Sequence, residues 1–257
     1  MKKYSLITGG ASGLGIELSR RFAQDKNNLF LISSNIDKLN AAKAELEKEY
    51  GVEVIVLALD LSDPNNFPKV KEFVESNGIR VNNLVNCAGI GDCTDFKDMD
   101  IDKQIRTVEL NCNCPMYLMR LFINDMINEK EGHILNINSI AAFIPGPYMS
   151  TYHASKIFFL YMNEAIEREL KGTGVKMTTV CPGPFSSDFV KKAHNDYTFK
   201  KMKPLPTSKV ADITYKAFKK NKSLKVIGFG NKMMILATRF APRKFVTSVS
   251  AKQLKDV

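Results

Sequence analysis

Short apolar runs alternate with amphipathic stretches along almost the whole chain, and that alternation constrains the fold more tightly than any other feature. Apolar runs lie at residues 4–7, 28–33, 52–58, 83–86, 133–138, 176–181 and 225–227, and no proline interrupts them. Runs this short and this continuously apolar read as strands buried on both faces of a sheet. Helical patterns lie between them, at 15–24, 36–50, 65–76, 101–128 and 151–170. Strand, helix and strand in repetition is the βαβ arrangement. The expectation is a three-layer α/β fold, a doubly wound and mostly parallel sheet of seven strands with helices on both faces. No repeat, low-complexity tract or Pro-, Gly- or Ser-rich linker divides the 257 residues, so the whole chain reads as one domain.

Composition narrows the class. Hydrophobic residues make up 44% and charged residues 25%, the balance of an ordinary globular chain, and no apolar run has the length of a membrane span. The N-terminal apolar piece gives way to Thr8-Gly9-Gly10 too soon for a signal peptide, so an intracellular, cytoplasmic protein is expected. The five cysteines are odd in number and irregularly spaced, and Cys112-x-Cys114 has no histidine or second cysteine pair beside it. They read as reduced thiols packed like small apolar groups. His133, His153 and His194 form no ligand spacing, so no metal is expected. Charge is uneven: residues 1–188 carry 20 Lys and Arg against 24 acids, residues 189–257 carry 17 against 3. A basic end of this kind suits nucleic acid, anionic lipid, an anionic substrate or simply solvent. No nucleic-acid-binding motif accompanies it, and nucleic acid is not an expected partner.

Two stretches carry chemistry. After the first run comes Thr8-Gly9-Gly10-Ala11-Ser12-Gly13-Leu14-Gly15. Glycines between a strand and a helix let the backbone turn tightly and approach a pyrophosphate, which then sits at the positive end of the helix. The second stretch runs from Ser139, at the end of the fifth apolar run, to Tyr152 and Lys156 on the following helix. Residues four apart project from one helix face. A phenol ionises near pH ~10, and an ammonium beside it favours the phenolate, so the pair is a candidate proton-transfer device. The Ser139 hydroxyl can hydrogen-bond the oxygen being protonated.

Thr-Gly-x-x-x-Gly-x-Gly at residues 8–15, Asn86-Cys87-Ala88-Gly89 after the fourth run, Asn111, Ser139 thirteen residues before Tyr152-x-x-x-Lys156, and Pro182-Gly183-Pro184 after the sixth run together resemble the short-chain dehydrogenase/reductase family, in its single-domain type. Cys87 stands where the family usually has a second asparagine. The resemblance covers nearly the whole chain and implies a Rossmann-type dinucleotide-binding fold and hydride transfer between a nicotinamide cofactor and a secondary alcohol or ketone. It implies that Tyr152 is the acid–base group, that Lys156 lowers its pKa and binds ribose, that Ser139 orients the carbonyl, and that Asn111 holds a water relaying protons from Lys156. It implies further cofactor contacts at Thr8, Gly9, Ser12, Gly13, Leu14, Gly15, Ser33, Ser34, Asn35, Asp60, Leu61, Asn86, Ala88, Gly89, Pro182, Gly183, Phe185 and Ser187. A homodimer or homotetramer is the usual family assembly.

The second apolar run ends in Ser33-Ser34-Asn35, where no carboxylate stands to repel a 2′-phosphate, so NADP(H) is favoured over NAD(H). Asp60-Leu61 resembles the family's adenine contact, with a helix N-cap as the alternative. Residues 185–207 align with the family's variable substrate loop, and Phe185, Phe189, Tyr197 and Phe199 suit either a lid over an apolar substrate (a 3-oxoacyl group, a steroid or bile acid, or a small ketone) or side chains that only anchor the loop. The basic C-terminal extension, 231–257, mixes apolar and cationic residues and is interrupted by Pro242. A subunit interface or core role is favoured there over a tail above the active site or peripheral membrane contact. The competing reading is a non-catalytic NAD(P)-binding regulatory protein that meets a partner through this basic part. The complete Asn111, Ser139, Tyr152 and Lys156 set argues against it.

Overall fold

The computed structural model describes residues 2–186, 189, 193 and 204–255. Its centre is a sheet of seven strands in the order β3-β2-β1-β4-β5-β6-β7: β1 (Lys3–Thr8), β2 (Asn28–Ser33), β3 (Val54–Ala58), β4 (Arg80–Asn86), β5 (Gly132–Ile137), β6 (Val175–Cys181) and β7 (Leu224–Val226). Every pairing is parallel, which places all seven expected strands within two or three residues of their ends. The helices are α1 (Gly13–Gln24), α2 (Ile36–Tyr50), α3 (Phe67–Ser76), α4 (Ile101–Val108), α5 (Cys114–Asn128), α6 (Ser150–Glu169), α7 (Thr207–Lys219), α8 (Phe229–Thr238) and α9 (Arg243–Leu254).

Burial on both faces explains why the strands lack an alternating pattern. In β2, Leu29 and Leu31 join the core under α1, α2 and α7, with Leu18, Phe22, Leu46 and Phe218. Phe30 and Ile32 point the other way, into the core with Phe67, Leu118, Phe122 and Phe159. All four β2 side chains are fully buried, each contributing about 1.5–3 kcal/mol of transfer free energy.

Two differences from the sequence expectation matter. The single helix expected over 101–128 is two, joined by a wide π-turn at Glu109–Asn113. Pro115 has no N–H to return to the carbonyl four residues back, that of Asn111, so regular α geometry cannot run through this point. Beyond the stretches expected as helical, the C-terminal part forms α7, α8 and α9, with Pro242 at the break between the last two, the interruption expected of any single helix there.

The strand order reverses between β1 and β4: from β1 the chain builds outward through β2 and β3, then returns to lay β4 on the other side. A crevice opens at the carboxyl ends of these two strands, the usual ligand position in such sheets. Thr8 closes its floor. Its hydroxyl accepts from the Cys87 and Ala88 N–H groups at 3.0 and 3.1 Å and donates to the Val85 carbonyl.

Candidate active site

A cleft of about 480 Å³ lies over the carboxyl ends of the strands. One end is formed by the glycine turn. Gly9 has φ +67° and a Cβ there would press against the Ala88 backbone, while a Cβ on Gly15 would collide with the Gly9 carbonyl. The turn therefore fits only without side chains at these positions. Ser12 precedes α1 without capping it through its side chain, so the first N–H groups of this twelve-residue helix are left to the cleft. A bare-backbone cradle opening onto uncapped helix N–H groups is what a pyrophosphate requires, and these residues fit a dinucleotide.

Of the sequence-predicted cofactor residues, Gly9, Ser12, Gly13, Leu14, Gly15, Ser33, Ser34, Asp60, Leu61, Ala88, Gly89, Pro182, Gly183 and Phe185 border this cleft. Thr8 and Asn86 lie beneath it. The Asn35 side chain caps α2 instead, accepting from Lys38 N at 2.8 Å. Asp60 folds back on Ser62, whose N–H and hydroxyl reach Oδ1 at 3.0 and 2.7 Å, and its Oδ2 pairs with Arg106 at 2.6 Å. The cap of the next turn is Asp63, not Asp60. Ser187, like Tyr197, Phe199 and most of the 185–207 loop, lies outside the described residues.

The structure brings Ser139, Tyr152 and Lys156 together. Ser139 follows β5 in extended conformation, and its Oγ accepts from Ala141 N at 3.1 Å. His153 anchors the same segment through a 2.9 Å contact between Nδ1 and the Ile144 carbonyl. Burial pushes the Tyr152 phenol up to about 12, while its hydrogen bond with the Ser139 hydroxyl pulls the other way. Lys156 is buried, its Nζ 3.4 Å from the Ile137 carbonyl and 5.7 Å from the centre of the Tyr152 ring. Burial lowers this ammonium to about 8. Its other neighbours are the thiols of Cys112, Cys87 and Cys181, which burial pushes to about 11, 12 and 12 and so keeps neutral. Lys156 was expected to pull the phenol down. Instead the ammonium faces the ring, both groups are desolvated, and each is driven toward its neutral form.

Asn111 sits in the π-turn and clips the segment after β4. Its Oδ1 accepts from Ile90 N at 3.0 Å, and its Nδ2 donates to Ile90 O and Ser155 Oγ at 2.9 and 3.0 Å. Below the cleft a void of about 10 Å³ is bordered by Thr8, Asn86, Asn111 and Lys156. Asn86 donates to Asn136 at 2.8 Å, but its Oδ1 is buried without a partner among the described residues.

At the far end of the cleft sequence reasoning named Phe189 and missed the other lining residues. Ile144, Met149, Phe189, Met234 and Leu254 make it apolar, with Ser250 and Gln253 beside them. α9 is held there by Lys255, which pairs with Asp95 at 2.8 Å and lies over the Tyr148 ring, and by Cys93 on the Leu254 carbonyl. Lys103 also reaches the cleft, with its ammonium held by Asp92 at 2.5 Å.

A parallel doubly wound sheet with this cradle and a Ser–Tyr–Lys cluster at its crevice is the layout of a dinucleotide-binding α/β fold. The chain belongs to the short chain dehydrogenase family, whose sequence profile matches residues 3–198. It is 31% identical over 188 residues to a short chain dehydrogenase of Pseudocercospora fijiensis, covering 72% of this chain and 60% of that one. It is 29% identical over 184 residues to a very-long-chain 3-oxoacyl-CoA reductase of Anas platyrhynchos, covering 70% and 58%. The matched region thus spans about three-fifths of the length of these relatives. Among solved structures, a short-chain dehydrogenase from Sphingobium yanoikuyae in complex with NADPH superposes with a TM-score of 0.84 at 24% identity, covering 93% of this chain and 94% of that one.

Proposed function

We propose that the protein reduces an apolar ketone, of the 3-oxoacyl type, with NADPH. The observation that carries this reading is the placement of Ser139 and Tyr152, joined by a hydrogen bond, between the dinucleotide cradle and the apolar end of the cleft. The cofactor, when bound, supplies the hydride; everything else falls to side chains of this chain. Ser139 donates to the carbonyl oxygen and stabilises the charge that develops on it. Tyr152, held protonated by its burial, delivers the proton to that oxygen. Lys156 holds the ribose hydroxyls and restores the phenol's proton. A water bound by the unpartnered Asn86 Oδ1 and Lys156 in the void beside Asn111 links this relay onward, the void being close to the smallest that holds one.

NADPH is favoured because Ser33 and Ser34 border the cleft and no carboxylate stands in Ser33-Ser34-Asn35 at the end of β2 to repel a 2′-phosphate. The acyl substrate class is supported by the apolar far end and by the Anas platyrhynchos relative. A homodimer is supported by the adjacent faces of α4 and α6, which expose Ile101, Ile105, Phe158 and Tyr161. The test is NADPH oxidation against a panel of 3-oxoacyl thioesters, oxosteroids and small ketones, run for the parent and Tyr152→Phe. Turnover should fall by about 10²–10⁴-fold in the variant, with NADPH binding kept by fluorescence titration. A fully active variant ends this mechanism.

A further inference from the structure

Apart from the α4 and α6 face and an isolated Phe96, most of the large exposed apolar side chains among the described residues gather at the C-terminal end. Phe229, Met233, Leu236 and Phe240 recur at intervals of four, three and four, which aligns them in one stripe along α8 and the turn beyond it. Phe229 is 79% and Phe240 83% exposed. Phe245 and Val249, one turn apart on α9, extend the exposed apolar surface. The opposite side of α8 is used internally: Ile235 is buried, and Met234 lines the cleft. The core role favoured from sequence therefore does not apply to the outward stripe. Cations surround it at Lys232, Arg239, Arg243, Lys244 and Lys252, all exposed, and no acidic residue occurs between 213 and 255.

We propose that α8 and α9 rest on an anionic bilayer surface, with the apolar stripe in the acyl boundary and the cations among the headgroups. An amphipathic helix with aromatic and aliphatic residues on one side and Lys and Arg around it has the chemistry of an interfacial helix. No helix of the described residues is long and apolar enough to cross a membrane, so the contact is peripheral. Charge selects this occupant over a second copy of the chain. A two-fold interface would bring the same patch against itself, setting Arg239, Arg243 and Lys244 near their own counterparts with no acid to offset them. An anionic bilayer offers the opposite charge and an apolar layer at the same depth. The surface is also continuous with the site. Met234 and Leu254, on the inner sides of the two helices, border the apolar end of the cleft, so an apolar ketone dissolved in the bilayer has a short dry route to Ser139 and Tyr152. Only that route rests on the reductase reading; the docking does not.

Co-sedimentation tests it, using the full chain with vesicles of phosphatidylcholine containing about one-third phosphatidylserine, and with phosphatidylcholine alone. The parent should partition onto the anionic vesicles and weaken by at least about tenfold when salt rises from about 0.1 to about 0.5 M. The double variant Phe240→Ser/Phe245→Ser should lose about a hundredfold, about one power of ten per phenylalanine withdrawn from the acyl boundary. Arg243→Glu/Lys244→Glu should lose the preference for the anionic vesicles. NADPH titration of each variant checks that the fold is intact, because none of the four positions borders the cleft. Failure of the parent to bind anionic vesicles overturns the proposal, as does equal binding to both vesicle types or binding unchanged in the phenylalanine variant. A self-associated parent that dissociates on Phe240→Ser/Phe245→Ser without binding vesicles would identify a second copy as the occupant, and also overturns it. Absence of ketone reduction alongside normal vesicle binding would count against the reductase reading alone.

Discussion

Replacing Lys156 by methionine separates what this residue costs the fold from what it does in the site. The ammonium is only 5% exposed, and its described neighbours are a carbonyl at 3.4 Å, neutral thiols and the faces of Tyr152 and Phe159. Burial lowers its pKa from 10.5 to about 8. Holding the charge at neutral pH therefore costs the folded state about 3 kcal/mol relative to the unfolded chain, at about 1.4 kcal/mol per tenfold. Methionine keeps a similar stem and volume and forfeits one long hydrogen bond and the ring contacts, together about 1 kcal/mol. The variant should be the more stable protein by about 2 kcal/mol near neutral pH. The sign follows from proton binding. Between about pH 8 and 10.5 the unfolded chain keeps more protons on this lysine than the folded one, so parental stability from this group rises through that window. The variant's advantage should shrink from about pH 8 upward and be gone near about pH 10. Urea unfolding at both pH values, followed by far-UV circular dichroism and, in a chain without tryptophan, tyrosine fluorescence, measures the difference. A variant less stable than the parent at neutral pH, or an advantage unchanged at pH ~10, refutes burial of the charge as the dominant cost.

Two further perturbations address the cofactor end. Ser33→Asp places a carboxylate at the end of β2, on the cleft wall, and should weaken NADPH binding by at least about tenfold while leaving or improving NADH binding; parallel fluorescence titrations decide, and equal effects on both nucleotides would remove Ser33 from the 2′-phosphate site. Gly15→Ala drives a methyl into the Gly9 carbonyl and should abolish nucleotide binding and destabilise the chain by about 1–3 kcal/mol, read by titration and thermal unfolding; an alanine variant with parental affinity would show that the turn is not the tight cradle described.

Much of this protein is legible from residue order alone because the relevant physics is local. Strands β1 to β7 show themselves as apolar runs; in the inner strands burial on both faces leaves little polar alternation, whereas the edge strands β3 and β7 are only partly buried. The glycines at 9 and 15 announce a tight turn because only backbone fits there, Gly13 because its φ of +53° disfavours a side chain, and Tyr152 and Lys156 share a helix face by period alone. The break at Asn111 was not foreseen: Pro115 marks it, but its effect depends on knowing that a helix had to pass through that point. Other features needed the tertiary structure. Lys156 and Tyr152 are adjacent in either description, yet the direction of their pKa shifts came from desolvation, which is a property of everything packed around them. The apolar end of the cleft joins Met149 and Leu254, more than a hundred residues apart, through the docking of α9 on Asp95 and Tyr148. In α8 the sequence holds Met234, Ile235 and Leu236 in a row, all equally apolar; which one lines the cleft, which is buried and which faces outward follows from how the helix lies on the turn after Ser139. Composition determines that a side chain seeks an apolar environment, but whether that environment is the core, a substrate or a surface outside the molecule is decided only when the chain has closed around its sheet.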